Sequence, residues 1–243
     1  MKVFCIVLLA INTIYMGFSQ NKEQEETFCC SISELMGKVM PLGGKNTPHH
    51  LRADVYDSFS QMQKAAQKEG ISLQIASGYR SFERQLQIWN NKYRRYTQTQ
   101  KLSPKDAVAK ILKYSTIPGT SRHHWGTDLD LIQKVPLMPK SLLEATNFEK
   151  GGAFHTLKLW LDKNASKYGF HLVYTNNPNR TGFNYEPWHY TYCKISEQML
   201  SEYSEHQVIH QLDFSKLLGK EILTPSFLQD YFESHLKMPC NTN

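Results

Sequence analysis

The chain reads SRHHWGTDLDLI at residues 121–132. The second half of this stretch alternates carboxylates with apolar side chains, and a period of two predicts a strand with Asp128 and Asp130 on one face. Leu129 and Leu131 would then point into the core. The stretch therefore predicts a rigid strand that carries a carboxylate, directly after a turn that contains histidines.

A second short segment reads EPWHY at residues 186–190. Together with His123 and Asp130, its His189 completes a set of two imidazoles and one carboxylate, which can bind Zn²⁺ at three positions and leave the fourth for water. Glu186 stands three residues before His189, is not needed as a ligand, and can move a proton of that water. These residues predict a hydrolase site with one zinc ion.

Other histidines offer alternative sites. His124 could replace His123 as a ligand if the turn were presented differently, and otherwise it would lie behind or at the rim of the site. His206 and His210 have the i, i+4 spacing of a metalloprotease helix. That motif requires a glutamate where this chain has Gln207, so we do not expect a catalytic role for this pair.

Helical and extended patterns alternate along the rest of the chain. Apolar periodicity and capping residues predict helices near 55–66, 82–93, 104–114 and 154–168, strands near 72–76 and 170–174, and two helical pieces after residue 196. Pro187 disfavours a continuous helix through Glu186 and His189, so we expect an extended or bulged segment to present them.

Length and charge limit the possible classes of protein. A chain of 243 residues with 40% hydrophobic residues can bury one substantial core, so one main domain is expected. The net charge of +6 and the pI of about 8.9 favour an anionic partner such as a wall polymer or a membrane surface, although the basic residues are spread over ordinary helix faces. No basic-aromatic module accompanies the charge, so nucleic-acid binding is not supported.

The first residues resemble an export signal. Met1-Lys2 precedes an apolar run that ends at Gly17-Phe18-Ser19, a pattern typical of a cleaved signal peptide over residues 1–19. A buried helix or a retained anchor is the alternative. The polar segment 20–47 then reads as an N-terminal tether with a short ordered piece. The mature protein is expected outside the cytoplasm, in the periplasm or the extracellular space.

The cysteines are consistent with an oxidising compartment. Cys5 would leave with the signal, and Cys29, Cys30, Cys193 and Cys240 would remain. Four cysteines allow three pairings, and the sequence does not choose among them. Adjacent residues suit disulfide geometry poorly, so Cys29 and Cys30 are not expected to pair with each other.

Three motifs in order resemble one family. They are SGYRS at residues 77–81, SxHxxGxxxD at residues 121–130 and EPWH at residues 186–189, and they are similar to those of the zinc D-alanyl-D-alanine carboxypeptidases. That family includes D,D- and L,D-carboxypeptidases and dipeptidases that trim peptidoglycan stems, and it shares its fold with the hedgehog signalling domain. The resemblance implies an α+β fold, with a small, mostly antiparallel sheet flanked by helices.

The resemblance also implies domain limits and residue roles. The zinc peptidase domain would span 48–195, followed by a C-terminal helical extension over 196–243. Zinc would be bound by three residues, namely His123, Asp130 and His189. Glu186 would be the catalytic base and acid, and Arg80 would contact the peptide carbonyl or terminal carboxylate, as would Gln85. Ser121 would bind substrate beside the metal loop or cap its turn. Many members carry a small residue where Asp128 stands.

The function expected from these residues is hydrolysis of D-amino-acid-containing peptidoglycan stem peptides, as a D,D- or L,D-carboxypeptidase. The alternative is a non-catalytic, zinc-stabilised module that binds the cell wall. A metal-free serine peptidase is disfavoured, because the Ser-x-x-Lys matches lie only at 19–22 and 234–237. The expected partner is the stem peptide, with no nucleic acid and no stable membrane span after signal cleavage, and a monomer is expected.

Overall fold

The computed structural model describes residues 30–238 and residue 240. The predicted signal segment, Cys29 and the first part of the predicted tether lie outside these residues, as does the Ser-x-x-Lys match at 19–22. In the part of the chain that is described, no helix is both long enough and apolar enough to cross a membrane.

An antiparallel sheet forms the centre of the described fold. Its strands are β1 (Leu73–Ser77), β2 (Asp128–Gln133), β3 (Phe170–Leu172) and β4 (His189–Tyr192), in the order β1-β2-β4-β3. Strand β2 pairs with a neighbour on each side, and Leu129 and Leu131 are fully buried, as the alternating pattern predicts. Helices flank this sheet, so the predicted α+β fold is confirmed.

Helices pack around the sheet. Within residues 30–238 the α-helices are α1 (Ile32–Leu35), α2 (Ala53–Lys68), α3 (Phe82–Arg94), α4 (Pro104–Ile111), α5 (His155–Asn164), α6 (Cys193–Glu205) and α7 (Pro225–Tyr231). Ser81 and Ser103 cap α3 and α4, because each side chain accepts a backbone N–H of the first turn. π-helical turns continue α3 through Arg95–Thr99 and α7 through Phe232–Leu236.

The turn before β2 determines where its histidines lie. A 3₁₀ turn spans Arg122–Trp125 and ends at Gly126, whose φ of 69° is left-handed. A Cβ atom at Gly126 would lie 2.7 Å from the Cγ atom of Pro41, so a larger residue would disturb this turn. The turn, the strand and the tight packing around Gly126 together fix the chain from His123 to β2.

The C-terminal part differs in one respect from the predicted pattern. Helix α6 ends at Glu205, and Gln207 follows it with a left-handed φ of 47°. His206 therefore lies just past this helix, while His210 lies in the separate 3₁₀ turn Val208–Gln211. The expectation that both histidines share one helix is wrong, because the backbone changes direction between them.

A disulfide closes the C-terminal segment onto the domain. Cys193, at the start of α6, is bonded to Cys240, which lies 47 residues further along the chain. Cys30 is buried and carries a free thiol. Of the pairings that the sequence left open, the structure thus contains Cys193–Cys240.

Candidate active site

Two paired strands and one turn bring the predicted ligands together. Asp130 on β2 lies directly opposite His189 on β4 in the antiparallel register. His123 enters from the 3₁₀ turn that precedes β2. The candidate ligand atoms of these three buried residues all lie within 4.8 Å of one another.

Hydrogen bonds fix which nitrogen of each imidazole is free. The Nδ1 atom of His123 lies 2.8 Å from the carbonyl oxygen of Gly78, to which it donates, so its Nε2 lone pair is left 3.5 Å from Oδ1 of Asp130. His189 donates through Nε2 to Oδ1 of Asp128 at 2.9 Å, which leaves its Nδ1 atom 3.3 Å from the same Asp130 oxygen. Both free nitrogens therefore point at one carboxylate oxygen.

The Asp130 oxygen at this centre is itself buried and lacks a hydrogen-bond partner among the described residues. Burial opposes its ionisation, but the two neighbouring imidazoles hold the pKa of the Asp130 carboxyl well below its usual range. Two imidazole nitrogens and a carboxylate that converge in a buried space can give up their protons to a bound cation, and the N₂O donor set suits Zn²⁺. The residues present thus fit a zinc ion.

Asp128 holds His189 from behind. Besides the His189 imidazole, its carboxylate accepts from Nε of Arg122 at 3.0 Å and from the hydroxyls of Thr127 at 2.6 Å and Thr191 at 2.9 Å. Burial opposes the charge of Asp128, yet Arg122 and His189 hold the pKa of its carboxyl below the usual range. A carboxylate that accepts from a ligand histidine fixes the tautomer and orientation of that ligand.

Glu186 lies beside the ligands but belongs to a different segment. Its Oε2 atom is 3.7 Å from Nδ1 of His189, and its backbone N–H donates to the carbonyl of Tyr174 at 3.0 Å. A turn at Pro187 and Trp188 connects Glu186 to β4, where an extended or bulged segment is predicted; no continuous helix joins Glu186 and His189, as the proline predicts. Burial raises the pKa of the Glu186 carboxyl to about 7, although attraction by His189 opposes this shift. A carboxyl with this pKa can exchange protons near neutral pH.

Arg80 reaches the same centre from the loop after β1. Its Nη2 atom lies 3.8 Å from Oδ2 of Asp130, and the guanidinium donates to Gln85 and to Ser77, each at 3.1 Å. Gln85 is fully buried, and its amide donates to the carbonyl of Thr116 at 2.8 Å. The structure therefore places Gln85 behind Arg80, and direct contact between Gln85 and substrate stays a prediction.

The other predicted residues fall into different surroundings. Ser121 is buried and lines the cavity beside the ligands. Both ring nitrogens of His124 are engaged, because Nδ1 donates to the carbonyl of Arg80 and Nε2 accepts from the backbone N–H of Gly119. Burial lowers the pKa of His124 to about 3. His124 thus has no free nitrogen for a metal. It connects the 3₁₀ turn Arg122–Trp125 to Arg80.

The second histidine pair and the serine–lysine match do not form a site in the described residues. His206 is half exposed and contacts Glu202 at 3.2 Å. Ser234 donates to the carbonyl of Asp230, and Lys237 pairs with Glu233 on the exposed surface of the C-terminal turn.

A cavity of about 360 Å³ opens over the predicted ligands. It is lined by the ligands, Arg80, Glu186 and residues that sequence reasoning missed, namely Lys92, Tyr174, Phe183, Trp188 and the loop 143–145. Tyr174 packs its ring on His189 at a centroid distance of 4.6 Å, and on Phe183 at 5.1 Å. Apart from Trp188, which belongs to the EPWH segment, no motif marks these residues, because they reach the cavity only through the fold.

Two histidines and a carboxylate that could hold one metal ion, beside a separate glutamate, are the arrangement typical of zinc hydrolase sites. The chain belongs to the D-alanyl-D-alanine carboxypeptidase family described as VanY, whose model matches residues 48–195. This match confirms the resemblance that the three motifs predict.

Individual relatives are similar over part of the chain. The putative carboxypeptidase YodJ of Bacillus subtilis is 33% identical over 146 residues, which are 59% of this chain and 46% of YodJ. A D-alanyl-D-alanine carboxypeptidase of Enterococcus faecalis is 30% identical over 132 residues, 54% of this chain and 44% of the relative. The chain thus spans just under half the length of these two curated relatives.

Among solved structures, VanYB in complex with D-alanine-D-alanine is 25% identical to this chain. The similarity covers 71% of this chain and 82% of VanYB, with a TM-score of 0.49.

Proposed function

We propose that this chain is a zinc-dependent peptidase that hydrolyses D-amino-acid-containing stem peptides of peptidoglycan, as a D,D- or L,D-carboxypeptidase. The observation that carries the proposal is the convergence of two free imidazole nitrogens on the unpartnered Asp130 oxygen, with Glu186 only 3.7 Å from one of them. The names of the relatives supply the substrate class.

In this proposal zinc is held by Nε2 of His123, Nδ1 of His189 and the Asp130 carboxylate. When bound, Zn²⁺ polarises a carbonyl group and lowers the pKa of water toward about 7. Glu186 accepts a proton from the attacking water and returns it to the leaving amine. Its burial in the cavity wall, which raises its pKa to about 7, suits a group that must carry a proton in both directions.

Arg80 stabilises the negative charge that develops on the carbonyl oxygen in the transition state. Gln85 and Ser77 accept hydrogen bonds from its guanidinium and hold it beside Asp130 before substrate arrives. Donors that are already oriented spend no free energy on reorganisation during the reaction. Gln85 contributes to this function by positioning Arg80.

The proposed substrate lies in the cell wall, so the protein acts in the cell envelope. We infer that it is exported, to the periplasm or the extracellular space, by the predicted signal over residues 1–19. The disulfide Cys193–Cys240 supports this inference, since structural disulfides persist in oxidising compartments.

Replacement of Glu186 tests the mechanism. The purified Glu186→Gln variant is expected to retain one zinc ion per chain and to lose at least about 10²-fold in kcat, because general acid–base catalysis contributes at least that much. Muropeptides would be digested with the wild-type protein, with the variant, and with chelator-treated protein, and the products identified by mass spectrometry.

Wild-type turnover by the zinc-loaded variant would show that Glu186 is not the proton carrier. The absence of any chelator-sensitive cleavage by the wild-type protein, together with binding of the stem peptide, would instead favour the non-catalytic wall-binding module.

A further inference from the structure

Helix α3 directs one lysine into the cavity. Gln85, Trp89 and Lys92 follow one another at spacings of four and three residues, so they share a helix face. Gln85 and Trp89 are fully buried in the core. Lys92 continues this inward face near the end of α3, where the face leaves the core and forms part of the cavity wall.

The ammonium group of Lys92 has no partner among the described residues, since it makes no hydrogen bond or ion pair with any of them. The other two cations of the cavity wall are engaged: Arg80 donates to Gln85, and Arg122 pairs with Asp128. Burial lowers the pKa of Lys92, and attraction by Glu186 opposes this effect. A half-buried, unpaired cation in a cavity wall is stabilised when a ligand supplies an anion.

The position of Lys92 relative to Glu186 indicates which anion this is. Glu186 returns its proton to the leaving amine, so the leaving residue must lie on the Glu186 side of the cavity. The C-terminal carboxylate of that residue is only two bonds from the amine nitrogen, through Cα. Lys92 lines the same cavity within electrostatic range of both Glu186 and Arg80.

Arg80 and Gln85 are less suited to that carboxylate. The Arg80 guanidinium lies 3.8 Å from the Asp130 carboxylate, next to the predicted metal site, where the carbonyl oxygen of the scissile bond must be. Gln85 is fully buried and does not line the cavity. Of the lysine and arginine side chains in the cavity wall, Lys92 is thus the one left to bind the end of the peptide.

We propose that Lys92 binds the C-terminal carboxylate of the leaving residue and thereby makes the site selective for peptides with a free C-terminus. This proposal rests on the proposed peptidase function of the site. It names the residue through which this cavity would distinguish the end of a peptide from the middle of a longer chain.

The test compares a peptide acid with its amide. Diacetyl-L-lysyl-D-alanyl-D-alanine and its C-terminal carboxamide would be titrated calorimetrically into the zinc-loaded Glu186→Gln protein, with Lys92 intact or replaced by Met or Arg. With Lys92 present, the acid is expected to bind about tenfold or more tightly than the amide, since hydrogen bonds between charged groups contribute at least that factor.

Lys92→Met is expected to remove this preference by weakening the binding of the acid peptide and leaving that of the amide unchanged. Lys92→Arg is expected to retain most of the preference. The matched control is Lys163→Met, which removes an exposed lysine of α5. Zinc content and thermal melting would verify that each variant is folded.

An undiminished preference for the acid in Lys92→Met would overturn the assignment, and so would equal binding of acid and amide when Lys92 is present. The proposed function is tested separately by hydrolysis of the acid peptide by the wild-type zinc protein. If the acid preference depends on Lys92 but neither this peptide nor the tetrapeptide that ends in L-lysyl-D-alanine is hydrolysed, the carboxylate site stands and the peptidase proposal fails.

Discussion

The β2–β4 pair and the C-terminal extension contribute to the same cavity in different ways. In the strand pair, the backbone register places Asp130 opposite His189, and Asp128 lies two residues earlier on the same face. The extension, which in the structure begins with α6 at Cys193, consists of helices and turns that are held by individual side-chain hydrogen bonds and one disulfide. The strand register thus fixes the positions of Asp130 and His189, while the extension holds the segment 117–120 that precedes the turn with His123.

Two tyrosines of the extension make this second contribution. The Tyr231 hydroxyl contacts the Thr120 hydroxyl at 2.8 Å and accepts from the backbone N–H of Ile117 at 3.3 Å. The Tyr203 hydroxyl donates to the carbonyl of Gly119 at 3.0 Å. All three contacts lie just before the turn that carries His123. If the comparison is correct, changes in the strand pair should affect metal binding, and changes in the extension should mainly affect stability.

The largest effect is expected for Asp130→Ala. This change removes the one carboxylate on which both free imidazole nitrogens converge, so stoichiometric zinc and peptidase activity should both be lost. Zinc per chain would be measured after dialysis, by elemental analysis. Asp57→Ala is the control, because Asp57 is exposed on α2. Full zinc content in Asp130→Ala would contradict the assignment of the centre to these three residues.

Asp128→Asn should weaken zinc binding without abolishing it. The variant keeps the shape of the side chain but removes the charge that holds His189 and Arg122, and loss of such a supporting carboxylate typically costs about 10–100-fold in metal affinity. It should also destabilise the fold by about 3–5 kcal/mol, since the buried Arg122 loses its ion-pair partner.

Competition with a chelator of known affinity would give the zinc dissociation constant, and urea unfolding the stability. A zinc affinity equal to that of the wild-type protein would show that Asp128 has a purely structural role.

In the extension, the Cys193→Ser, Cys240→Ser double variant should lower the free energy of unfolding by about 2–4 kcal/mol. The disulfide closes a segment of 47 residues, and its removal restores conformational freedom to the unfolded chain. Zinc stoichiometry should stay at the wild-type value, because the register of β2 and β4 does not depend on this bond. Loss of zinc in the folded double variant would mean that the two regions are not separable.

The difference between the regions also explains what the sequence could predict. Alternation in β2, the serines that begin α3 and α4 and the break in helix at Pro187 are local signals, and the structure contains each of these features. The three motifs indicate the family, and the family in turn implies the fold class. By contrast, the approach of Lys92 to the cavity and the contact of Tyr231 with Thr120 depend on tertiary packing, which leaves no pattern in a single sequence.

The predictions of individual site residues differ in the same way. His123, Asp130 and His189 could be named in advance because they belong to short motifs, and their side chains converge. The roles of these residues in catalysis stay predictions until the variants are measured. The place of Gln85 behind Arg80 was not predictable, because it depends on how α3 packs against the segment around Thr116.

The smallest expected effect belongs to Tyr231→Phe. The variant keeps the buried ring and removes only the hydroxyl, which leaves the buried N–H of Ile117 without its partner and should cost about 1–2 kcal/mol in the free energy of unfolding. Tyr56→Phe is the control, since the hydroxyl of Tyr56 has no hydrogen bond to the described residues. Equal urea midpoints for the two variants would show that the Tyr231 hydroxyl does not hold the loop. An unchanged zinc affinity in Tyr231→Phe would sharpen the comparison, because the extension would then stabilise the approach to His123 while the strand register alone sets the metal site.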